Sequence, residues 1–326
     1  LREPFEVDEA TILLTASVGA LWIEAGDTDP GALPHRANLA MLEAKAAGGD
    51  RVTYYSPEME AFAVERAELR ARLAQAMLDH EFDMDYQPII DVRNGRVVGV
   101  EALVRWLRDG RRVSAGEFIP TMEATGQLRQ LGRMIRELIA ADLPQLVSAL
   151  PASDGFVTLN LAIAELADDV SVDRMLVGPL SGFAAPVTIE VLESDDLTPH
   201  GPADRNLHRL RSAGYSLAID DFGTGYSNFS LLKRLRPEIL KLDRSLLARS
   251  DDDAVAAADF LDAATRMGHA VGAKVLAEGV EDEQDVARIV AAGVDLAQGY
   301  HYARPAPLPE VLRFIEEGNA PHVTPL

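Results

Sequence analysis

The stretch FDMDYQPIIDVRNGRVVGVEALVRW (Phe82–Trp106) holds two runs of apolar, β-branched and aromatic residues separated by Arg93–Arg96. Such runs read as strands. Asn94-Gly95 lies in the break, and a tight hairpin turn needs positive φ at its centre, which Asn and Gly supply. The two strands are therefore predicted to run antiparallel. After Trp106 the rhythm changes to strand, helix, strand. Further strand-like runs are GFVTLNL, PVTIEVLE, YSLAIDD, ILKLDRS, KVLAEGV and DLAQGY, and helical stretches such as LGRMIRELIAADLPQLVSAL and DAVAAADFLDAATRMGHAVG lie between most of them. Alternation of this kind predicts a parallel sheet. Eight strands in roughly 245 residues is the arithmetic of a TIM-type (β/α)8 barrel. The expected fold is thus an α/β barrel with an antiparallel first strand.

Residues 1–56 differ. TILLTASVGALWI (Thr11–Ile23) reads as one strand, HRANLAMLEAKAAGG as a helix ended by Gly48-Gly49, and DRVTYYS as a closing strand. This is a small α/β fragment. Residues 57–80, opening on Pro57, read as a linker helix with an apolar stripe of Met59, Phe62, Leu69, Leu73 and Met77. Residues 81–326 are assigned to the barrel.

The chain has 326 residues, 48% hydrophobic, ample for a large core. It has no cysteine, which excludes disulfides, thiolate nucleophiles and Cys-ligated zinc and fits a reducing, cytoplasmic compartment. No apolar run approaches the length of a membrane span. The chain starts at Leu1, so it is expected to be a piece of a longer protein, which leaves room for an anchor or a sensor outside it. Lys and Arg total 31 against 52 Asp and Glu, a net charge of −21. That argues against DNA or RNA as a partner, because a polyanion needs a basic footprint.

The informative acids close the apolar runs. Glu101, Asn160, Glu190, Asp220-Asp221, Glu278 and Gln298 stand at the C-terminal ends of strands two, three, four, five, seven and eight, and strand six carries Lys241 and Asp243. Barrel active sites form at this end. Oxygen donors without Cys or paired His suit a hard cation, Mg²⁺ or Mn²⁺. Two adjacent carboxylates repel and raise one another's pKa unless a divalent ion shares them. Two ions would clamp the attacking and leaving oxygens of a phosphoryl displacement, with Lys241 orienting water or offsetting charge. Asp243 reads as a partner that positions Lys241. Glu193 and Glu281 each follow a candidate ligand by three residues and read as loop or water holders. Enolase-like barrels place acids around Mg²⁺ in the same way, so spacing alone leaves a lyase and a phosphodiesterase both open.

Finer motifs carry a resemblance. VEALVRW (Val100–Trp106), YQPII (Tyr86–Ile90), GEFIPTMEATG (Gly116–Gly126), LNLA around Asn160, IEVLES (Ile189–Ser194), DDFGTGYSN, LKLDRS (Leu240–Ser245), AEGVE (Ala277–Glu281) and QGYHYARP (Gln298–Pro305) occur in order. Over residues 60–318 the chain resembles EAL-domain cyclic-di-GMP phosphodiesterases. The resemblance implies a barrel with an antiparallel first strand and hydrolysis of cyclic di-GMP to linear pGpG. It implies Glu101, Asn160, Glu190 and Asp220 on a first ion, and Asp221 and Glu278 on a second, with Asp220 shared. Lys241 and Gln298 match groups beside the nucleophilic water, and Glu193 matches the holder of the DFGTG loop. Gln87, Leu103, Arg105, Asp243, Tyr302 and Pro305 are the implied substrate contacts, Arg105 for a phosphate and Tyr302 with Pro305 for guanine. The resemblance also implies inhibition by Ca²⁺ and a homodimer through helices beside the DFGTG loop. Ala162, Asn228 and Val191-Leu192 depart from the family pattern, and none replaces an implied ligand. A non-catalytic cyclic-di-GMP receptor is the alternative. Residues 1–56 resemble the C-terminal part of a GGDEF (diguanylate cyclase) domain, with Arg36-Ala37-Asn38 where RAD is usual; no GGDEF-like stretch is present, so synthesis of cyclic di-GMP is not expected.

Overall fold

The computed structural model describes residues 5–7, 10–12, 14–23, 29–195, 197–223, 229–247 and 254–318. The chain divides into two compact units, Leu1–Gln75 and Ala76–Leu326, and the division falls inside the helix Pro57–Leu78.

In the first unit, strands Val18–Ala20 and Val52–Tyr54 pair in parallel, joined through the helix Leu33–Ala46. Gly19 lets that helix approach: a Cβ there would stand 1.9 Å from the Ala37 carbonyl oxygen. Gly48 and Gly49, at φ +96° and +72°, end the helix in the left-handed region. The single strand expected over Thr11–Ile23 is broken. Ala10–Ile12 pairs instead with Phe5–Val7 in a separate antiparallel sheet, so one β-rich run serves two sheets. The stripe expected along the linker helix is also incomplete, with Leu73 and Met77 buried and Phe62 exposed.

The second unit is the barrel. Its strands are β1 (Phe82–Asp91), β2 (Val97–Arg108), β3 (Phe156–Asn160), β4 (Val187–Leu192), β5 (Ser216–Phe222), β6 (Ile239–Leu242), β7 (Lys274–Ala277) and β8 (Leu296–Ala297). β2 to β8 follow one another in parallel, and β1 closes the ring antiparallel to both β2 and β8. The Asn94-Gly95 turn accounts for this. Gly95 lies at φ +69°, and its amide donates to the Asp91 carbonyl at 2.8 Å. A turn so short leaves no room for the crossover a parallel pair requires. Two short strands extend the ends of the sheet, Arg111–Ser114 on β2 and Ala306–Pro307 on β1.

β2 does not stop at Glu101. It pairs with β3 only over Gly99–Ala102 and then runs on to pair with Arg111–Ser114, so Glu101 closes the barrel portion of a longer strand. Below the mouth, towards the N-terminal ends of the parallel strands and the C-terminal end of β1, Ile89, Val98, Ala218, Ile239, Leu276 and Leu296 form a buried apolar cluster. Beyond that layer the same inward-facing rows turn polar.

Candidate active site

β5 solves the problem that its two acids raise. In a regular strand, neighbouring side chains point to opposite faces. Here Ile219 pairs with Leu240 and Phe222 with Leu242, so Asp220 and Asp221 together oppose Lys241 alone. The extra residue is a β-bulge. Asp221 takes it up at φ +55°, a left-handed conformation that Asp tolerates better than most residues, and its amide donates to Asp220 Oδ1 at 2.8 Å. Both carboxylates thereby reach one place: oxygens of Asp220, Asp221 and Glu278 lie within 4.8 Å of one another.

Lys241 is the electrostatic centre. Its side chain is 1% exposed, and its Nζ lies 2.8 Å from Glu278 Oε1, 3.0 Å from Glu190 Oε2, 3.1 Å from Asp220 Oδ2 and 3.7 Å from Glu101 Oε1. Burial alone would lower its pKa, but the surrounding carboxylates, Glu101 and Glu190 first, hold it well above the ordinary lysine value. One ammonium faces four carboxylates. Like charges about 4 Å apart cost roughly 4 kcal/mol each at an effective dielectric of about 20, so the lysine leaves the cluster short of positive charge. The carboxylates register the deficit. Burial pushes Glu190 well above the ordinary range, Lys241 opposing and Glu101 and Asp220 adding. Burial and the Asp220 charge push Glu278 up to about 8 despite Lys241. Burial, then Asp220, raises Asp221.

Amides organise the opposite wall. Gln298 Nε2 donates to Glu101 Oε2 at 2.6 Å and to Gln87 Oε1 at 2.9 Å. Asn160 Nδ2 donates to Glu101 Oε1 at 3.2 Å, and Gln87 Nε2 donates to the Ala303 carbonyl at 3.1 Å. β1 supplies Gln87 because its antiparallel register sets that residue directly opposite Glu101. A cleft of about 330 Å³ opens over the cluster, lined by Gln87, Glu101, Leu103, Asp220, Lys241, Asp243, Glu278, Glu281 and Gln298.

The donor set fits divalent cations. It is all oxygen, it carries excess negative charge, and Glu190 Oε1 is buried with no hydrogen-bond donor. A buried acceptor without a partner is costly, and a cation would supply one.

Other expected residues lie elsewhere or do other work. Glu193 Oε2 accepts from the Gly223 amide at 3.0 Å, at the start of the glycine-rich segment; residues 224–228 of that segment are outside the described ones. The Glu281 amide donates to Asp285 Oδ2 at 3.1 Å. Asp243 does not pair with Lys241. Its Oδ1 accepts from the Ser245 amide at 2.9 Å, because the carboxylates crowding Nζ leave it no place. Arg105 does not line the cleft; its Nε donates to Asp85 Oδ2 at 2.8 Å, and Arg112 holds the other Asp85 oxygen at 2.7 Å. Tyr302 is buried, its hydroxyl has no partner, and burial pushes its pKa up to about 12. Pro305 stands at the entry to the strand Ala306–Pro307, which pairs with β1.

Two cleft residues escaped the sequence reading. Arg244 and Tyr300 both line the cleft, and Tyr300 is 54% exposed with the Arg304 guanidinium 4.1 Å from its ring centroid. Arg244 directly follows Asp243 within LKLDRS, and Tyr300 lies inside the QGYHYARP run two residues from Gln298 and from Tyr302. Adjacency was the available signal, but it does not say which side chain faces inward.

This barrel and its site define a family: residues 70–305 match the EAL domain model, and the chain belongs to that family. Among curated proteins, it is 32% identical over 97% of its length to the cyclic di-GMP phosphodiesterase NbdA of Pseudomonas aeruginosa, covering 40% of that protein. It is 31% identical over 96% of its length to the bifunctional diguanylate cyclase/cyclic di-GMP phosphodiesterase MucR of the same organism, covering 46%. The chain thus spans less than half of either relative. Among solved structures, the PaMucR phosphodiesterase in complex with c-di-GMP matches with a TM-score of 0.68 at 30% identity, over 75% of this chain and 99% of that one. The EAL domain of Mycobacterium smegmatis DcpA matches with a TM-score of 0.60 at 28% identity, over 74% and 100%.

Proposed function

We propose that this chain hydrolyses one phosphodiester bond of cyclic di-GMP, giving linear pGpG. The observation that carries the reading is Lys241, locked among Glu190, Asp220 and Glu278 under the cleft of an EAL barrel. Relatives named as cyclic di-GMP phosphodiesterases align along nearly the whole chain, which supports it.

Glu101, Asn160, Glu190 and Asp220 would hold one divalent cation, and Asp221 and Glu278 a second that shares Asp220, with Mg²⁺ or Mn²⁺ as the ions. When bound, such ions neutralise the phosphate and lower the pKa of water. The chain's own residues do the rest. Lys241 presents a fixed positive charge to the attacking water and to the charge that builds on phosphorus. Gln298, fixed by Gln87 and Glu101, orients a group at the cleft floor. Water oxygen bonds to phosphorus, the P–O bond to the ribose breaks, and the departing oxygen takes up a proton. Gln87 and Leu103 line the path of the substrate, and Asp243 borders it. Arg105 reaches a phosphate after exchanging part of its Asp85 contact, and Tyr302 and Pro305 shape the guanine end. Glu193 and Glu281 hold their loops. Ca²⁺ inhibits, because its larger radius and looser geometry spoil the arrangement.

In the same reading, residues 1–56 are the C-terminal part of a GGDEF domain, 57–80 a linker helix and 81–326 the barrel. The alignment with a bifunctional relative over 96% of the chain supports the first assignment. The protein acts in the cytoplasm; no helix among the described residues is long and apolar enough to cross a membrane. A homodimer forms through helices beside the glycine-rich segment, a reading supported by the exposure of Phe229, the residue that follows the segment; light scattering of the purified chain tests it. The decisive experiment incubates the chain with cyclic di-GMP and Mg²⁺ or Mn²⁺ and separates the products by chromatography. Appearance of pGpG supports the hydrolase. Tight binding without product over hours would replace it with the receptor reading.

A further inference from the structure

The wall of the barrel carries a row of polar side chains that the chemistry above does not use. Strand register pairs Ser216 of β5 with Thr188 of β4, Thr188 with Thr158 of β3, and Thr158 with Glu101 of β2. Paired residues on adjacent parallel strands share a face and stand about 4.8 Å apart. All four share the inward face of Asn160 and Glu190, two residues beyond Thr158 and Thr188. Barrel interiors are ordinarily filled by bulky branched apolar residues, as they are at Ile89, Ile239, Leu276 and Leu296 on the other side. On this side the filling is Ser, Thr, Thr and the small Ala218.

The row has two ends. Ser216 and Thr188 line a cavity of about 530 Å³ at the N-terminal end of the barrel, together with Phe156, Ile239 and Lys274. Glu101 stands in the candidate active site at the other end. Between them, Thr158 is fully buried and its Oγ1 has no hydrogen-bond partner. A valine would fill the same volume without stranding a hydroxyl, so packing does not explain Thr158. Glu190 Oε1, one row nearer the mouth, is left to the cation site, so Thr158 Oγ1 is the buried orphan that the row itself must satisfy, and buried water bound to it and to a neighbouring polar group does so.

We propose that Ser216, Thr188 and Thr158 hold a file of bound water that links the cavity at the base of the barrel to Glu101 and Glu190. A ligand seated in the cleft covers the direct route from solvent. The file leaves a second route from below, and each hydrolytic cycle consumes one water. This last step rests on the hydrolase reading; the water site itself does not.

The test pairs structure with turnover. At atomic resolution, the wild-type crystal is expected to show ordered water within hydrogen-bond distance of Thr158 Oγ1, kept in Thr158→Ser and lost in Thr158→Val. At saturating cyclic di-GMP, Thr158→Val is expected to lower kcat several-fold with KM unchanged, and Thr158→Ser to restore it. Thr188→Val, at the cavity end, should reproduce the kcat effect and covers the case in which Thr158→Val folds poorly. Wild-type crystals without water on Thr158 overturn the file. Ordered water with unchanged kcat in both valine variants overturns its role as a supply route. A wild-type protein that binds cyclic di-GMP without cutting it overturns the hydrolase reading instead, and the crystal then decides the water site alone.

Discussion

The two ends of the barrel are built from the same strands and obey opposite rules. On β6, Ile239 lies in the apolar cluster and Lys241, two residues on, sits among carboxylates. On β7, Leu276 and Glu278 do the same, and on β8, Leu296 and Gln298. One step of the inward-facing period crosses from a layer held by burial to a layer strained by charge. The apolar layer positions the charged one. Carboxylates held among neighbours that raise their pKa values would relax apart on a loop, whereas adjacent strands in a closed ring cannot move separately.

The largest contrast between the ends should come from Asp220→Asn, which keeps the shape and removes a charge from both of the proposed cation sites. Turnover of cyclic di-GMP should fall about a thousandfold or more, with thermal unfolding nearly unchanged; near-full turnover in Mg²⁺ would remove Asp220 from its shared position. Next comes Lys241→Met, which strands buried carboxylates. The cation-free protein should lose about 3–5 kcal/mol of stability, measured by denaturant unfolding, and added Mn²⁺ should return much of it. An equal loss with and without the ion would mean that the lysine acts through packing. At the apolar end, Leu276→Ala should cost about 2–5 kcal/mol yet leave kcat intact at temperatures where the variant is folded; a collapse of kcat there would show that the layers are not separable.

The smallest effect is the pH dependence. Glu278 has its folded-state pKa raised from 4.5 to about 8, so its contribution to cation-free stability is complete below about pH 4.5 and is lost as pH rises through about 8. Cation affinity should rise across the same window, because the ion displaces the proton. Cation-free unfolding curves and isothermal titration across this range check both signs. Stability that rises with pH in the cation-free protein would place Glu278 in a less crowded setting.

Much of this was legible in the residues. The hairpin at Asn94-Gly95 declared the antiparallel strand, since its turn chemistry is local. The residues that crowd Lys241 could be picked out because polar groups closing apolar strands are rare and phased. The Lys241–Asp243 pairing was misread: both residues line the cleft, but carboxylates from four other strands take up Lys241 Nζ, and no spacing along the chain reveals contacts between strands. The resemblance singled out Tyr302 and passed over Tyr300, and only the path of the loop after Gln298 buries the first and exposes the second.

What the sequence by itself determined is the alternation that closes a barrel, the strand that runs backwards and the chemical character of its mouth, because each follows from local periodicity or turn chemistry. The tertiary structure alone decided that Asp220 and Asp221 reach the same site. Adjacent side chains on a strand diverge, and only a bulge measured against β6, with Asp221 in a left-handed conformation, brings them together.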